Sequence, residues 1–462
     1  MGTAGCCEGS LHALRDEGTA HMKEPGSGFT GWRVASWLGV LLVSISMSSC
    51  SDVDVRRPSR VASETLIAHI DDFSSLVYDS FLASPDGRHV AYVLVVGDRR
   101  VVFVDGRAGD PWYGILEGSL LFSPDSKRVA YAVTDSSTQR AVIDGVEAQK
   151  YPYTGYTPIV FSPDGERVAY IGSDGRRSFA VVDGKEEAPH DNVEGLVFSP
   201  DSQRLAYVAV DEMRKLAVVD GREGARYDGI GDCVFSPDSK HLAYVAADGE
   251  QDCVVVDGER GERFPGIRSI AYSPNGRRQA LVATDGEKWF VVVDGMREKQ
   301  YDDVEDVTFS PDGSRLAYVA TAGKRMFVVA DGREQRAYGY VRNPVFSPDG
   351  ERLAYVVVAD HGGRVVVGED TGKLYDNVVG DVVFGPDNRT VAYVAKVGLK
   401  RCVVIDGTEG KQYDDIATIG SEWLQLNPPT RPARRVFFDS STGLHYLAVD
   451  GGDVYLVEET VN

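Results

Sequence analysis

The chain has 462 residues and a formal net charge of −21, from 70 acidic against 49 basic side chains. It has no basic run and no nucleic-acid motif, so an acidic surface argues against DNA or RNA as a partner. Cations, basic proteins or plain solubility remain as reasons for the charge.

The first fifty residues stand apart from the rest. Trp32-Arg33 leads into an apolar stretch from Trp37 to Met47, which ends Met47-Ser48-Ser49-Cys50. This predicts a signal peptide over residues 1–49, with an apolar region too short to span a bilayer. Met22-Lys23 makes a more ordinary start than Met1, so residues 1–21 are expected to precede the true start. The small residues before Cys50 resemble the lipobox of bacterial lipoproteins, which implies that Cys50 is lipidated and begins the mature chain. A plain signal peptide cleaved nearby is the alternative. Either predicts export, and the first predicts a periplasmic, outer-membrane-anchored or cell-surface protein that meets the membrane through its lipid anchor. Residues 50–64 read as a linker.

From there a phrase recurs, Phe-Ser-Pro-Asp-Gly-x-Arg-Leu-Ala-Tyr-Val, whole at Phe309 to Val319 and at Phe346 to Val356. Its proline falls at Pro85, Pro124, Pro163, Pro200, Pro237, Pro274, Pro311, Pro348 and Pro386, at spacings of 37 to 39 residues. A fixed period of this length means tandem repeats that share one architecture. Within the unit from Tyr301 to Ala337, Glu305, Val307 and Phe309 share one face of a strand that enters the Ser-Pro-Asp-Gly turn. Arg315 to Ala320 forms a second strand, Met326 to Ala330 a third, and Asp331-Gly332 turns into a short fourth. No repeat shows a helical stripe, and the second strand is apolar on both faces. Four-stranded antiparallel sheets buried on both sides are what the blades of a β-propeller require.

The residues Ser-Pro-Asp-Gly-x-Arg-Leu/Val-Ala-Tyr at Ser162 to Tyr170, Ser310 to Tyr318 and Ser347 to Tyr355 resemble the WD-repeat-like propeller repeat of the TolB type. The same repeat occurs in propeller domains of prolyl-oligopeptidase-type enzymes. The resemblance runs over nearly the whole mature chain and implies an all-β propeller over 65–462, while leaving its activity open. The tenth repeat is degenerate, with strands at Val436 to Phe438, His445 to Val449 and Val454 to Val457 and no fourth strand. The segment Thr65 to Ile70 could supply it and close the ring through the first and last strands. Ten units exceed the usual four to eight blades. One ring is the expectation, because nothing between Pro85 and Pro386 interrupts the period, and two smaller rings are the alternative.

Most polar columns read as scaffold. The aspartates after the prolines (Asp86, Asp125, Asp164 and onward) and those before glycine in the later hairpin (Asp105, Asp144, Asp183 and onward) are turn residues. The tyrosine column from Tyr92 to Tyr393 is a packing column. Cys233, Cys253 and Cys402 stand where other repeats carry apolar residues and show no metal-ligand spacing. No catalytic motif, metal site or cofactor motif is found. The connections between blades carry acids such as Asp191, Asp302 and Asp414, and the hairpins opposite carry bases such as Arg100, Lys288 and Arg401. Both sets are expected on one rim.

The clearest departure lies between Tyr413 and Phe438, where an inserted loop at 414–435 brings Glu422-Trp423-Leu424, Pro428-Pro429, Arg431, Arg434 and Arg435. Tryptophan with arginine is a typical anchor pair for protein contact, and packing at the ring seam is the alternative. The sequence therefore predicts a non-catalytic propeller of the bacterial cell envelope that binds or scaffolds a protein or glycan partner, with Trp423, Arg431, Arg434 and Arg435 as candidate contacts. The alternative is a propeller hydrolase or lyase using rim acids such as Asp302 with Asp303 or Asp414 with Asp415. Adjacent acids on a strand point apart, which disfavours either pair as a dyad.

Overall fold

A computed structural model describes residues 60–461 apart from 71–74, 78–79, 136, 153–157, 360–361 and 418–434. The described residues contain no α-helix, and their strands pair into ten antiparallel four-stranded sheets set around one ring, a β-propeller. Blades are numbered from the one that begins at Leu82–Ala83. Blade 7 is representative, with strands Asp303–Phe309, Leu316–Ala322, Arg325–Ala330 and Arg333–Glu334 in that spatial order. In blades 2, 5 and 10 the first strand is broken in two, as at Asp415–Ile416 and Phe437–Phe438.

The apolar second strand buries both of its faces. Ala317, Tyr318 and Val319 are all buried, and they divide between two different cores. Tyr318 joins Val291 and Val293 of blade 6, whereas Ala317 and Val319 join Tyr355 and Val366 of blade 8. Each interface between blades is thus its own hydrophobic core. Each buried valine or leucine in it contributes about 1.5–3 kcal/mol. Cys233, Cys253 and Cys402 are free thiols inside these cores.

The repeated phrase shapes each blade and then reaches the next. Ser310 Oγ donates to Asp312 Oδ1 at 2.5 Å and accepts the Arg315 N–H at 2.9 Å, which closes the Pro-Asp-Gly turn. In the later hairpin, Asp331 and Gly332 have φ of 49° and 73°, the left-handed pair that a two-residue turn between twisted strands demands. Asp331 also accepts from the Leu316 N–H and from Arg315 Nε. Arg315 then crosses the interface, donating to the carbonyls of Gly350 and Glu351 and lying 5.0 Å over the Phe346 ring of blade 8. Arg128, Arg167, Arg204, Arg278 and Arg352 make the same reach.

The ring closes through the N-terminal strand. Arg60–His69 lies antiparallel against Asp453–Val461 as the fourth strand of blade 10, from Arg60 opposite Val461 to His69 opposite Asp453, with one register shift between Leu66 and Ala68. The strand begins at Arg60, so residues 60–64, expected in the linker, belong to the ring. Their signal was weak because this strand is exposed along most of its length. Its anchor is Arg60, nine-tenths buried, which donates to Glu459 Oε2 at 2.7 Å and to the Thr408 carbonyl of blade 9 at 2.7 Å. Tyr446 donates to the other Glu459 oxygen at 2.6 Å. On the far side, Arg88 of blade 1 bonds Asp439 and Glu458 of blade 10, each at 3.1 Å.

Because the clasp is buried, removing one partner strands the other. Arg60→Ala should destabilise the protein by about 3–5 kcal/mol in denaturant titrations, whereas Arg60→Met with Glu459→Leu together should cost less than either single change. Equal stability of Arg60→Ala and wild type would contradict the clasp.

Candidate functional site

First strands of neighbouring blades pack against each other, as Asp303–Phe309 does against Tyr340–Phe346. Fourth strands lie exposed, as in Glu259–Phe264. The first strands therefore line the central channel, with the Pro-Asp-Gly turns on one face of the ring and the hairpins between second and third strands on the other. Midway along, their pairing slips, at Glu194/Val197, Ile267/Ser269, Glu305/Thr308, Arg342/Val345 and Val379/Val383. The bulged residues include Arg268, Asp306, Asn343 and Asp381. Asn343 links its neighbours, donating its backbone N–H to Asp306 at 3.0 Å and its side-chain amide to Asp381 at 2.6 Å. Burial pushes the carboxyl of the partly buried Glu305 up.

The inserted segment departs from this channel wall. Asp415 and Ile416 pair with Val449 and Ala448, and Phe437 and Phe438 pair with His445 and Leu444, so the chain leaves and rejoins the first strand of blade 10 at its bulge position. Arg435 is buried, its guanidinium donating to the Ile416 carbonyl and lying 3.8 Å from Asp415. That side chain ties the two ends of the insertion together. Of the other candidates, Trp423, Arg431 and Arg434 lie outside the described residues, as does Cys50.

Acids and bases do meet on the hairpin rim, and they hold each other and the backbone. Asp191, Asp228, Asp302, Asp376 and Asp414 each accept a backbone N–H from the hairpin of their own blade, at 2.6 to 2.9 Å. The adjacent acids separate in role. Asp302 pairs with Lys288 while Asp303 takes Arg268 at 2.6 Å, and Asp414 pairs with Lys400 while Asp415 takes Arg401. The Lys288 ammonium holds the Asp302 carboxyl below its usual range, and the Gly451 N–H does the same for Asp414. Among the described residues no group of histidine, cysteine and acidic side chains is placed to hold a metal ion.

What sequence reasoning missed on this face is apolar. Leu399 and Met213, at hairpin tips, are more than nine-tenths exposed, and Val95, Val96, Tyr113, Tyr340 and Leu374 are exposed as well. Met213 apart, they fall in blades 8 and 9 and at blade 1 and its junction with blade 2, flanking the insertion of blade 10. For Leu399 the signal in the sequence was an apolar residue after the tip glycine, where other repeats carry Gly-Glu or Gly-Lys.

No protein-family model matches this chain, and no curated protein matches it. Among solved structures it is similar to a eukaryotic initiation factor, at 12% identity over 76% of this chain and 91% of that one, with a TM-score of 0.45. It is also similar to TolB from Acinetobacter baumannii, at 17% identity over 55% and 77% with a TM-score of 0.27. The β-propeller domain of the Trilobed protease from Pyrococcus furiosus matches at 19% identity over 54% and 94%, with a TM-score of 0.29. The ten-bladed ring rests on this chain's own strand pairing rather than on these likenesses.

The turn aspartates make the fold sensitive to acid. The Ser310 hydroxyl, with Ser314, holds the Asp312 carboxyl at about 2, and the Ser123 hydroxyl does the same for Asp125. Unfolding returns such groups to about 3.9, so their stabilisation is full above about pH 4 and is lost as pH falls towards 2. Ser310→Ala should lower Tm at neutral pH and flatten the fall in Tm between about pH 4 and 2. An unchanged acid limb would contradict the assignment.

Proposed function

We propose that the protein is a binding or scaffolding propeller of the bacterial cell envelope, held at the membrane by a lipid on Cys50. Its contact surface is the hairpin face around blade 10, and its partner is a protein or a glycan. The observation that carries this reading is the distribution of exposed apolar side chains. Tyr340, Leu374 and Leu399 on one side of blade 10, and Val95, Val96 and Tyr113 on the other, are exposed on the face where Lys400 and Arg401 are paired with Asp414 and Asp415. Clustered apolar surface rimmed by satisfied polar groups marks contact sites. The two described ends of the insertion lie in blade 10, between these two groups, and are tied together by Arg435; Trp423, Arg431 and Arg434 are further anchors in this reading. The adjacent acids that an enzyme would need each serve a different partner, which favours binding over catalysis.

The test is capture from detergent-solubilised envelope of a bacterium that makes the protein, with two folded variants as controls. Leu399→Asp with Tyr340→Asp, and separately Trp423→Ala with Arg434→Ala, should each weaken retention of the captured partner at least tenfold while Tm holds. Capture of the same partner with wild-type affinity by both variants would overturn the reading. Labelled palmitate should enter the wild type and not Cys50→Ala, and a wild type that takes up no label would remove the lipid anchor from it.

A further inference from the structure

One residue breaks the most uniform column of the chain. Every other blade, from Ala91 in blade 1 to Ala392 in blade 9, puts a buried alanine at one place in its second strand, and blade 10 puts His445 there. The column two residues earlier changes as well. Gly443 stands before Leu444 where Arg315 stands before Leu316, so blade 10 lacks the arginine that blade 7 sends to the turn carbonyls of its neighbour. His445 reaches the next blade in its place.

Both ring nitrogens of His445 meet acceptors. Nε2 lies 2.5 Å from the Asp86 carbonyl oxygen in the turn of blade 1, and a carbonyl can only accept. Nδ1 lies 2.8 Å from Asp439 Oδ2, while Arg88 of blade 1 donates to Asp439 Oδ1 at 3.1 Å and keeps that carboxyl ionised, with no proton to give. A neutral imidazole has a single N–H and would leave lone pairs facing each other at one of these contacts; an imidazolium donates to both. The ring is fixed between the blades. Phe437 stacks on it at 5.1 Å. A side chain at Gly87 of blade 1 would begin 2.6 Å from Phe437 and 3.2 Å from Nε2.

The charges around the ring agree with this reading. Glu458 lies opposite His445 on the third strand and accepts from Arg88 at 3.1 Å. The Asp86 carboxyl is engaged within its own turn, by the Arg88 N–H at 3.1 Å and by Ser84. Asp439 and Glu458 therefore share one guanidinium, and a proton on His445 balances the second acid.

We infer that His445 is a proton-dependent latch, which as an imidazolium stands in for the missing arginine and fastens blade 10 to blade 1 on the turn face. Deprotonation takes away one of its two bonds. An unfolded imidazole releases its proton above about pH 6.5. The latch therefore contributes fully below that pH, and its contribution is lost as rising pH takes the proton from the folded ring.

Nitrogen NMR of the full chain with labelled histidine reads the charge directly, and the signal lost in His445→Ala assigns it. Both ring nitrogens should carry protons at about pH 7.5, where a free imidazole is mostly neutral; a ring with one proton at that pH would overturn the latch. Hydrogen exchange, corrected for its intrinsic pH dependence, reads the consequence. Amides in 84–90 and 437–446 should be protected about tenfold better in wild type than in His445→Ala at about pH 6, and the difference should close towards about pH 9. Gly443→Arg with His445→Ala installs the residues the other repeats use, and a cleft of about 350 Å³ beside Gly443, Ser63 and Glu458 gives the arginine room. That variant should keep its protection at both pH values. Equal pH dependence in wild type and in the arginine variant would overturn the latch.

Discussion

A propeller blade buries both faces of its sheet, and so no blade can stand last. Tyr318 serves one core and Ala317 and Val319 the next, and the same division holds around the ring. An open end would expose the equivalent apolar row of the terminal blade to water. The chain meets this constraint by returning its N-terminal strand to the last blade, where Arg60 sits between Glu459 and a carbonyl of blade 9. A buried arginine is useful there because its planar fork bonds a side chain and two backbones at once.

With closure secured, the repeated phrase acts as wiring as much as folding. Its serine and aspartate set the turn, its tyrosine fills the interface, and its arginine carries the order of one blade to the next. The same economy explains the hairpin rim. Its aspartates hold hairpins in place, and its lysines and arginines neutralise them. Much of the charge on that face is therefore committed to shape.

The period, the turn chemistry and the all-β class were legible because each rests on neighbours in sequence. Asp331-Gly332 announces its turn, and Ser310 and Asp312 are two residues apart. Closure was legible from a missing strand at one end and an apolar segment at the other. The arginine column was visible but its purpose was not, because Arg315 meets carbonyls more than thirty residues away. Arg60 was hidden for the same reason, its partners Thr408 and Glu459 lying at the other end of the chain. The exposed tips of the hairpin face emerged once the ring order placed blades 9 and 1 on either side of blade 10.

Closure by the N-terminal strand is the claim from which the rest follows, and a cross-link reads its register directly. Ser63 lies opposite Glu458 in the antiparallel pair, so Ser63→Cys with Glu458→Cys should form an intramolecular disulfide under mild oxidation, detected by mass and by a rise in Tm on oxidation. Failure of that pair to link in the folded protein, or linkage between two chains in its place, would contradict a ring closed in this way.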